Sequence, residues 1–246
     1  VGTEGSRDMP MASRVAEMIG STHREKVYDV DEMLEVLDDV TYYSETFDMP
    51  LVRSCIPNLM ATRMFEGSGR VTLCGEGGDE VFAGYDFLRD ARGDEALRRE
   101  RIRLLKDGHI TGFQRVDRMM AASSLDGRMP LMAPEVVALG LSLGRRHLIG
   151  PRPADSKLAL KKAFKDMLPA AVISRRKRRF SDGAGSIHAL AGIAEEMITD
   201  KDFEAERKAL PKGRIRTKEE LLYFRSFSKH FDSPSAIAAV GFTQRP

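Results

Sequence analysis

Apolar residues recur at helical spacing near the start of the chain. Met11, Val15, Met18 and Ile19 fall on one face, and Gly20 follows as a stop. Val27 and Tyr28 read as a brief extended segment. Asp29 and Glu32 have the spacing of a capping box ahead of Val30, Met33, Leu34, Leu37 and Val40. A third helix is expected after Pro57. Gly67 and Gly69 then interrupt the pattern, and Arg70-Val71-Thr72-Leu73-Cys74 forms a short β-rich run. A glycine-rich turn follows it, and Val81 to Leu88 reads as a helix. Strand, glycine turn and helix, set among other helices, imply a parallel sheet with crossovers.

Beyond about residue 90 the strand signals become sparse. Phe113, Val116, Met119 and Met120 share one helical face. Leu160, Phe164, Met167 and Leu168 share another, behind an N-cap at Asp155. Thr217 and Glu220 cap a last helix carrying Tyr223, Phe224, Phe227 and Phe231. No internal repeat or low-complexity linker divides the chain. The expected architecture is an α/β part over residues 1–90 packed against a mainly helical part over 91–246.

Composition narrows the class of function. Of 246 residues, 42% are apolar and 31% charged, as in an ordinary globular protein. Lys plus Arg is 39 and Asp plus Glu is 37, a formal charge of +2. So even a balance argues against a dedicated nucleic-acid or membrane-surface protein. Cys55 and Cys74 have no zinc-site or disulfide spacing, which fits a reducing cytoplasm. No apolar run approaches the roughly 18 residues a membrane span needs. The chain opens on Val1 without a signal-like segment, and it is expected to be a piece of a longer product.

The candidate chemistry starts at Cys74-Gly75-Glu76-Gly77-Gly78-Asp79-Glu80, between the strand and the next helix. Glycines let backbone N–H groups approach a bound group closely, and a helix start favours anions. Three carboxylates in five residues would repel a bare phosphate. They suit a magnesium ion bridging acid and phosphate. A plain turn with solvated acids has the same pattern.

The segment resembles the Ser-Gly-Glu-Gly-Ser-Asp-Glu motif of glutamine-dependent (class B) asparagine synthetases, and it continues in register into Val81-Phe82-Ala83-Gly84-Tyr85. The resemblance runs over nearly the whole chain. Glu45-Thr46-Phe47-Asp48 with Arg53, Asp126 to Leu131, Lys161 to Phe164, Leu168-Pro169, Arg175 to Gly185, Thr217 to Glu220 and Ser233 to Ala236 each resemble a family motif, in the right order. It implies the synthetase half of such an enzyme, with the partial parallel sheet of an adenine-nucleotide alpha-hydrolase-like (PP-loop) domain and a largely helical second half.

That half makes asparagine from aspartate through β-aspartyl-AMP, using ATP and Mg2+ and ammonia from glutamine. By the resemblance, Val1, Cys74 and Gly75 lie against the nucleotide. Glu76 supports formation or breakdown of the acyl-adenylate, where a carboxylate can take a proton from ammonia. Asp79 helps hold magnesium on pyrophosphate. Lys177 stabilises charge on the phosphates. Read alone, Arg175 to Arg179 is a solvated basic face or an RNA patch. The Phe180-Ser181-Asp182-Gly183 continuation moves Lys177 alone to the active site and leaves the arginines, Arg178 and Arg179 among them, on the surface. Arg53 resembles the arginine that pairs with substrate aspartate, a task suited to a guanidinium fork. Its alternative is a structural salt bridge. Arg128 reads as structural.

The chain also departs from the family pattern. The phosphate-gripping Ser-Gly-Gly-x-Asp-Ser loop does not occur in it, and neither does the glutaminase half with its N-terminal cysteine. Met49-Pro50-Leu51 replaces a Val-Thr-Thr stretch that helps shape the aspartate pocket, and Cys74 and Gly78 replace serines. The missing segments are expected in cis or in trans, the enzyme as a homodimer, and the chain alone is expected to make no asparagine and to expose an apolar sheet edge. Neither nucleic acid nor membrane is an expected partner. The alternatives are a relative that forms another amide or a lactam through an acyl-adenylate, and a non-catalytic nucleotide-binding fragment.

Overall fold

The computed structural model describes residues 1–177, 184–211 and 213–243. The chain enters as a single extended residue, Gly2, bridged in parallel to Val27. Between them lies α1 (Met9–Ile19), ended by Gly20 at φ +67° in the left-handed region glycine favours. Asp29 and Glu32 close the expected capping box. The run behind it breaks in two, however: α2 (Val30–Glu35) hands over at Val36 to α3 (Leu37–Ser44). The third helix does not start after Pro57. α4 (Met49–Arg63) starts with Pro50 in its first turn and carries Pro57 inside.

β1 (Val71–Leu73) pairs in parallel with β2 (Asp126–Arg128), matching Val71 with Asp126 and Leu73 with Arg128. One strand of the sheet therefore comes from beyond residue 90, where strand signals are weak. The helix expected over Val81 to Leu88 is instead a single turn, α5 (Gly78–Val81), and a separate 3-10 turn, Asp86–Asp90. α7 (Gly112–Ala122) packs on β2, while α6 (Gly93–Asp107) and α8 (Pro134–Ser142) pack against α5 and each other. α9 (Leu158–Ala163) stops short of Phe164, and Lys157, not Asp155, precedes it at φ +53°. Asp155 turns back to accept hydrogen bonds from Arg152. α10 (Ala170–Ile173), α11 (Ser186–Met197), α12 (Asp200–Ala209), α13 (Lys218–Ser228) and α14 (Pro234–Ala239) complete the described helices. Thr217 caps α13 as expected, but α14 lies beyond it.

The main core joins α2, α3, α4, α7, α11 and α13. At its centre the fully buried Phe47 ring lies 5.2, 5.1 and 5.4 Å from those of Phe224, Phe227 and Phe242. A second core gathers Val81, Phe82, Leu88, Leu97 and Leu148 under α5, α6 and α8. Val116, Met120 and Leu125 form a small third one, with Cys74 packed on it. Each large side chain buried in this way contributes roughly 1.5–3 kcal/mol, so the helical cores, not the six-residue ladder, hold the fold. Val71 and Leu73 remain 59% and 72% exposed, and β1 has a strand partner on one side only among the described residues. Among them, no helix is long and apolar enough to cross a membrane.

Candidate functional site

The parallel ladder fixes where the glycine turn lies. Cys74 continues β1 by donating its N–H to the Arg128 carbonyl at 2.9 Å, and the chain then leaves at the carboxyl ends of both strands. That is where open parallel sheets build ligand sites. Gly77 has φ +88°, and a Cβ there would overlap Met132. Only glycine makes this bend without strain. The following turn, α5, sets Asp79 inward. Gly84 donates to the Asp79 carbonyl at 2.8 Å, and a Cβ on Gly84 would overlap Asp79 Oδ1.

Two lysines converge on Asp79. Lys177 Nζ lies 2.9 Å from Oδ2 and Lys157 Nζ 3.1 Å from Oδ1. Burial alone would raise the carboxyl's pKa, but the charges of Lys177 and Lys157 outweigh it and hold the group below the usual carboxylate range. Oδ1 is paired by charge and makes no aligned hydrogen bond. Lys161 pins the surroundings by donating to the carbonyls of Ala154 at 2.8 Å and Arg175 at 2.9 Å, so the loop before α9 and the stretch carrying Lys177 are tied together. Lys177 Nζ also sits 5.7 Å from the centre of the Tyr85 ring, and Tyr85 Oη donates to Glu80 Oε1 at 2.5 Å. Burial raises the Glu80 pKa.

The basic run is sorted by its partners. Arg175 pairs with Asp8, Arg176 Nη2 with Asp86 at 2.7 Å, and Lys177 with Asp79. Arg178, Arg179 and Phe180 to Gly183 lie outside the described residues.

Glu76 leans the other way, toward α7. Arg115 Nη2 contacts Glu76 Oε1, and both side chains are largely buried. Cys74 Sγ lies 3.3 Å from the Arg128 carbonyl oxygen. The Arg128 side chain pairs with Asp126 on the surface.

Arg53 faces the main core. Its Nε donates to Glu219 Oε1 at 2.6 Å and its Nη2 to Glu219 Oε2, a two-pronged pair that links α4 to α13. Tyr223 Oη donates to the same Oε1 at 2.5 Å. Val1 also packs on the main core, while Thr3 N–H donates to the Ala184 carbonyl at 2.8 Å. The fold thus joins Asp79 to Lys177 and keeps Cys74, Gly75 and Glu76 on one turn, with Arg53 and Val1 set against the main core instead.

Lys157 and Arg115 carry no signal in the sequence, and Glu219 lies in a family-like stretch that does not reveal its partner. Arg115 and Glu219 act on partners 39 and 166 residues away, and Lys157 meets Asp79 across several elements. No local spacing could have exposed them. Among the described residues no three His, Cys, Asp or Glu side chains gather as a metal cage. A lone carboxylate such as Asp79 fits magnesium only where phosphate oxygens and water complete the shell.

The family model described as asparagine synthase matches residues 1–107 and 89–245. Asparagine synthetase B, glutamine-hydrolysing, of Escherichia coli K12 is 31% identical over 243 residues, which is 98% of this chain and 44% of that protein. The glutamine-hydrolysing asparagine synthetase of Triphysaria versicolor is 32% identical over 249 residues, 98% of this chain and 42% of its own. Asparagine synthetase 1 of Saccharomyces cerevisiae is 32% identical over 253 residues, with 98% and 44% covered. The chain spans under half the length of these relatives. With a strand-end glycine turn, a clamped carboxylate and a match along nearly all its length, this chain belongs to the asparagine synthase family.

Proposed function

We propose that the gene product containing this chain converts aspartate to asparagine with ATP, through β-aspartyl-AMP, using ammonia released from glutamine, in the cytoplasm. The chain supplies part of the adenylation site, on a sheet of the adenine-nucleotide alpha-hydrolase-like (PP-loop) kind. The observation that carries this reading is the Lys157–Asp79–Lys177 cluster at the carboxyl end of β1, in a chain whose relatives are named asparagine synthetases.

The residues divide the work. Lys177, with Lys157 beside it, stabilises negative charge growing on the phosphates as pyrophosphate leaves. A fixed cation in a partly dry site serves there better than a solvated one, because water screens less. Magnesium, when bound, would neutralise phosphate charge, and Asp79 would help hold it, which requires its oxygens to be shared with or released from Lys157 and Lys177. Cys74 and Gly75 line the nucleotide. Glu76 accepts a proton from ammonia as it attacks the acyl carbon and displaces AMP. Arg53 is the substrate-carboxylate residue in this reading, which requires its fork to be shared with Glu219 or released from it.

The test is isotopic. Aspartate labelled with 18O in its side-chain carboxylate, given to the full-length gene product with MgATP and glutamine, is expected to leave one label in AMP and none in pyrophosphate. Label in neither product, with asparagine still formed, would contradict the acyl-adenylate.

A further inference from the structure

Arg115 is a deeply placed charge beside the turn, and its position follows from its helix. α7 is locked on its apolar side by Val116, Met119 and Met120, all buried. Gln114 Nε2 ties the helix to the Ser44 carbonyl at 2.8 Å. Arg115 therefore projects from a rigid support, and its Nη2 meets Glu76 Oε1. The first residue of the helix, Gly112, lies close to the same carboxylate. A Cβ there would stand 3.1 Å from Glu76 Oε2, so glycine lets the opening turn of α7 lie alongside the carboxylate.

Glu76 is an acid that answers this charge. Cys55 and Cys74 are further ionisable side chains acting on Arg115. Burial pushes the Cys55 thiol up to about 12, and burial raises Cys74 as well, so both are neutral near pH 7. A buried guanidinium beside two neutral thiols gains charge compensation from the Glu76 carboxylate.

We infer that Arg115 is a positioning residue for the reaction: it grips Glu76 Oε1 from α7 and so aims Oε2 at the incoming amine nucleophile. The inference rests on the reading of Glu76 as the proton acceptor. A base acts only when its lone pair reaches the proton it takes, and a glutamate on a glycine-rich turn has no such aim of its own.

A double-mutant cycle in the full-length gene product tests this, with kcat and KM for asparagine formation read separately. Arg115→Met is expected to lower kcat by about ten- to a hundredfold while KM for ATP and aspartate stays within about twofold. Arg115→Lys, which keeps the charge, is expected to restore part of the lost kcat. Adding Arg115→Met to Glu76→Gln is expected to slow the enzyme no further, since the arm then has no base to aim. Losses that multiply in the double variant, or a lysine variant no faster than the methionine one, would overturn the inference. Should Arg115→Met fail to fold, Arg115→Lys alone and combined with Glu76→Gln carries the same comparison. Full turnover in Glu76→Gln would instead sink the proton-acceptor reading beneath it, a result distinct from multiplying losses.

Discussion

Arg53 is held by a structural pair, and the proposed function would place a second demand on it. Its guanidinium fork is engaged by Glu219, which is 3% exposed, and Tyr223 Oη donates to that same acid. Exposed ion pairs contribute little, about 0–1 kcal/mol. Removing one partner of a buried pair costs more, on the order of 3–5 kcal/mol, because the other charge is left stranded. Arg53→Ala is therefore expected to lower the thermal midpoint of this chain clearly, which differential scanning calorimetry will read. In the full-length product the same change is expected to raise the KM for aspartate far more than that for ATP. Glu219→Gln keeps the guanidinium and is expected to lose stability with a smaller change in the aspartate KM. An unchanged aspartate KM in Arg53→Ala would confine Arg53 to the structural pair.

Among the elements, α5 and the loop around it decide whether the clamp forms. A Cβ on Gly84 would overlap Asp79 Oδ1, the oxygen beside Lys157. Gly84→Ala is expected to force the carboxylate aside at a cost of about 1–3 kcal/mol. A Cβ added at Gly192, inside α11, would meet nothing within 4 Å. Gly192→Ala is therefore expected to stabilise by about 0.5–1 kcal/mol through backbone entropy alone. Thermal unfolding of the two variants should move in opposite directions, and equal shifts would remove the steric argument.

This scale also explains what can be read from residues in order. The caps at Asp29 and Thr217 and the stop at Gly20 are legible because each is closed by hydrogen bonds within three or four residues. α4 misleads because Pro57 looks like a helix start, while a well-packed helix here tolerates it in its interior. α9 misleads because apolar spacing says nothing of the left-handed backbone at Lys157. β2 escapes notice because Asp126-Gly127-Arg128 has no strand composition and is extended only by pairing with β1. At the site, the glycine turn and Lys177 are visible through motifs, whereas Lys157 and Arg115 depend on packing between distant helices and loops.

For the molecule as a whole, the helical cores form a frame with the strand-end turn at the carboxyl end of the ladder. The Asp79 clamp draws Lys177 from beyond residue 170 and Lys157 from the loop before α9 onto a turn at residues 74–80. Charges that are dispersed in sequence are thus brought together by tertiary packing. Of the basic run, the described residues send Arg175 and Arg176 to Asp8 and Asp86 and reserve Lys177 for the clamp. The decisive measurement is aspartate-dependent pyrophosphate release by the full-length gene product, compared across single alanine variants of the run. Lys177→Ala is expected to lose on the order of a hundredfold or more while ATP still binds, with Arg178→Ala and Arg179→Ala close to the unaltered enzyme. Equal, modest losses at Lys177, Arg178 and Arg179 would contradict the assignment of Lys177 to the phosphates.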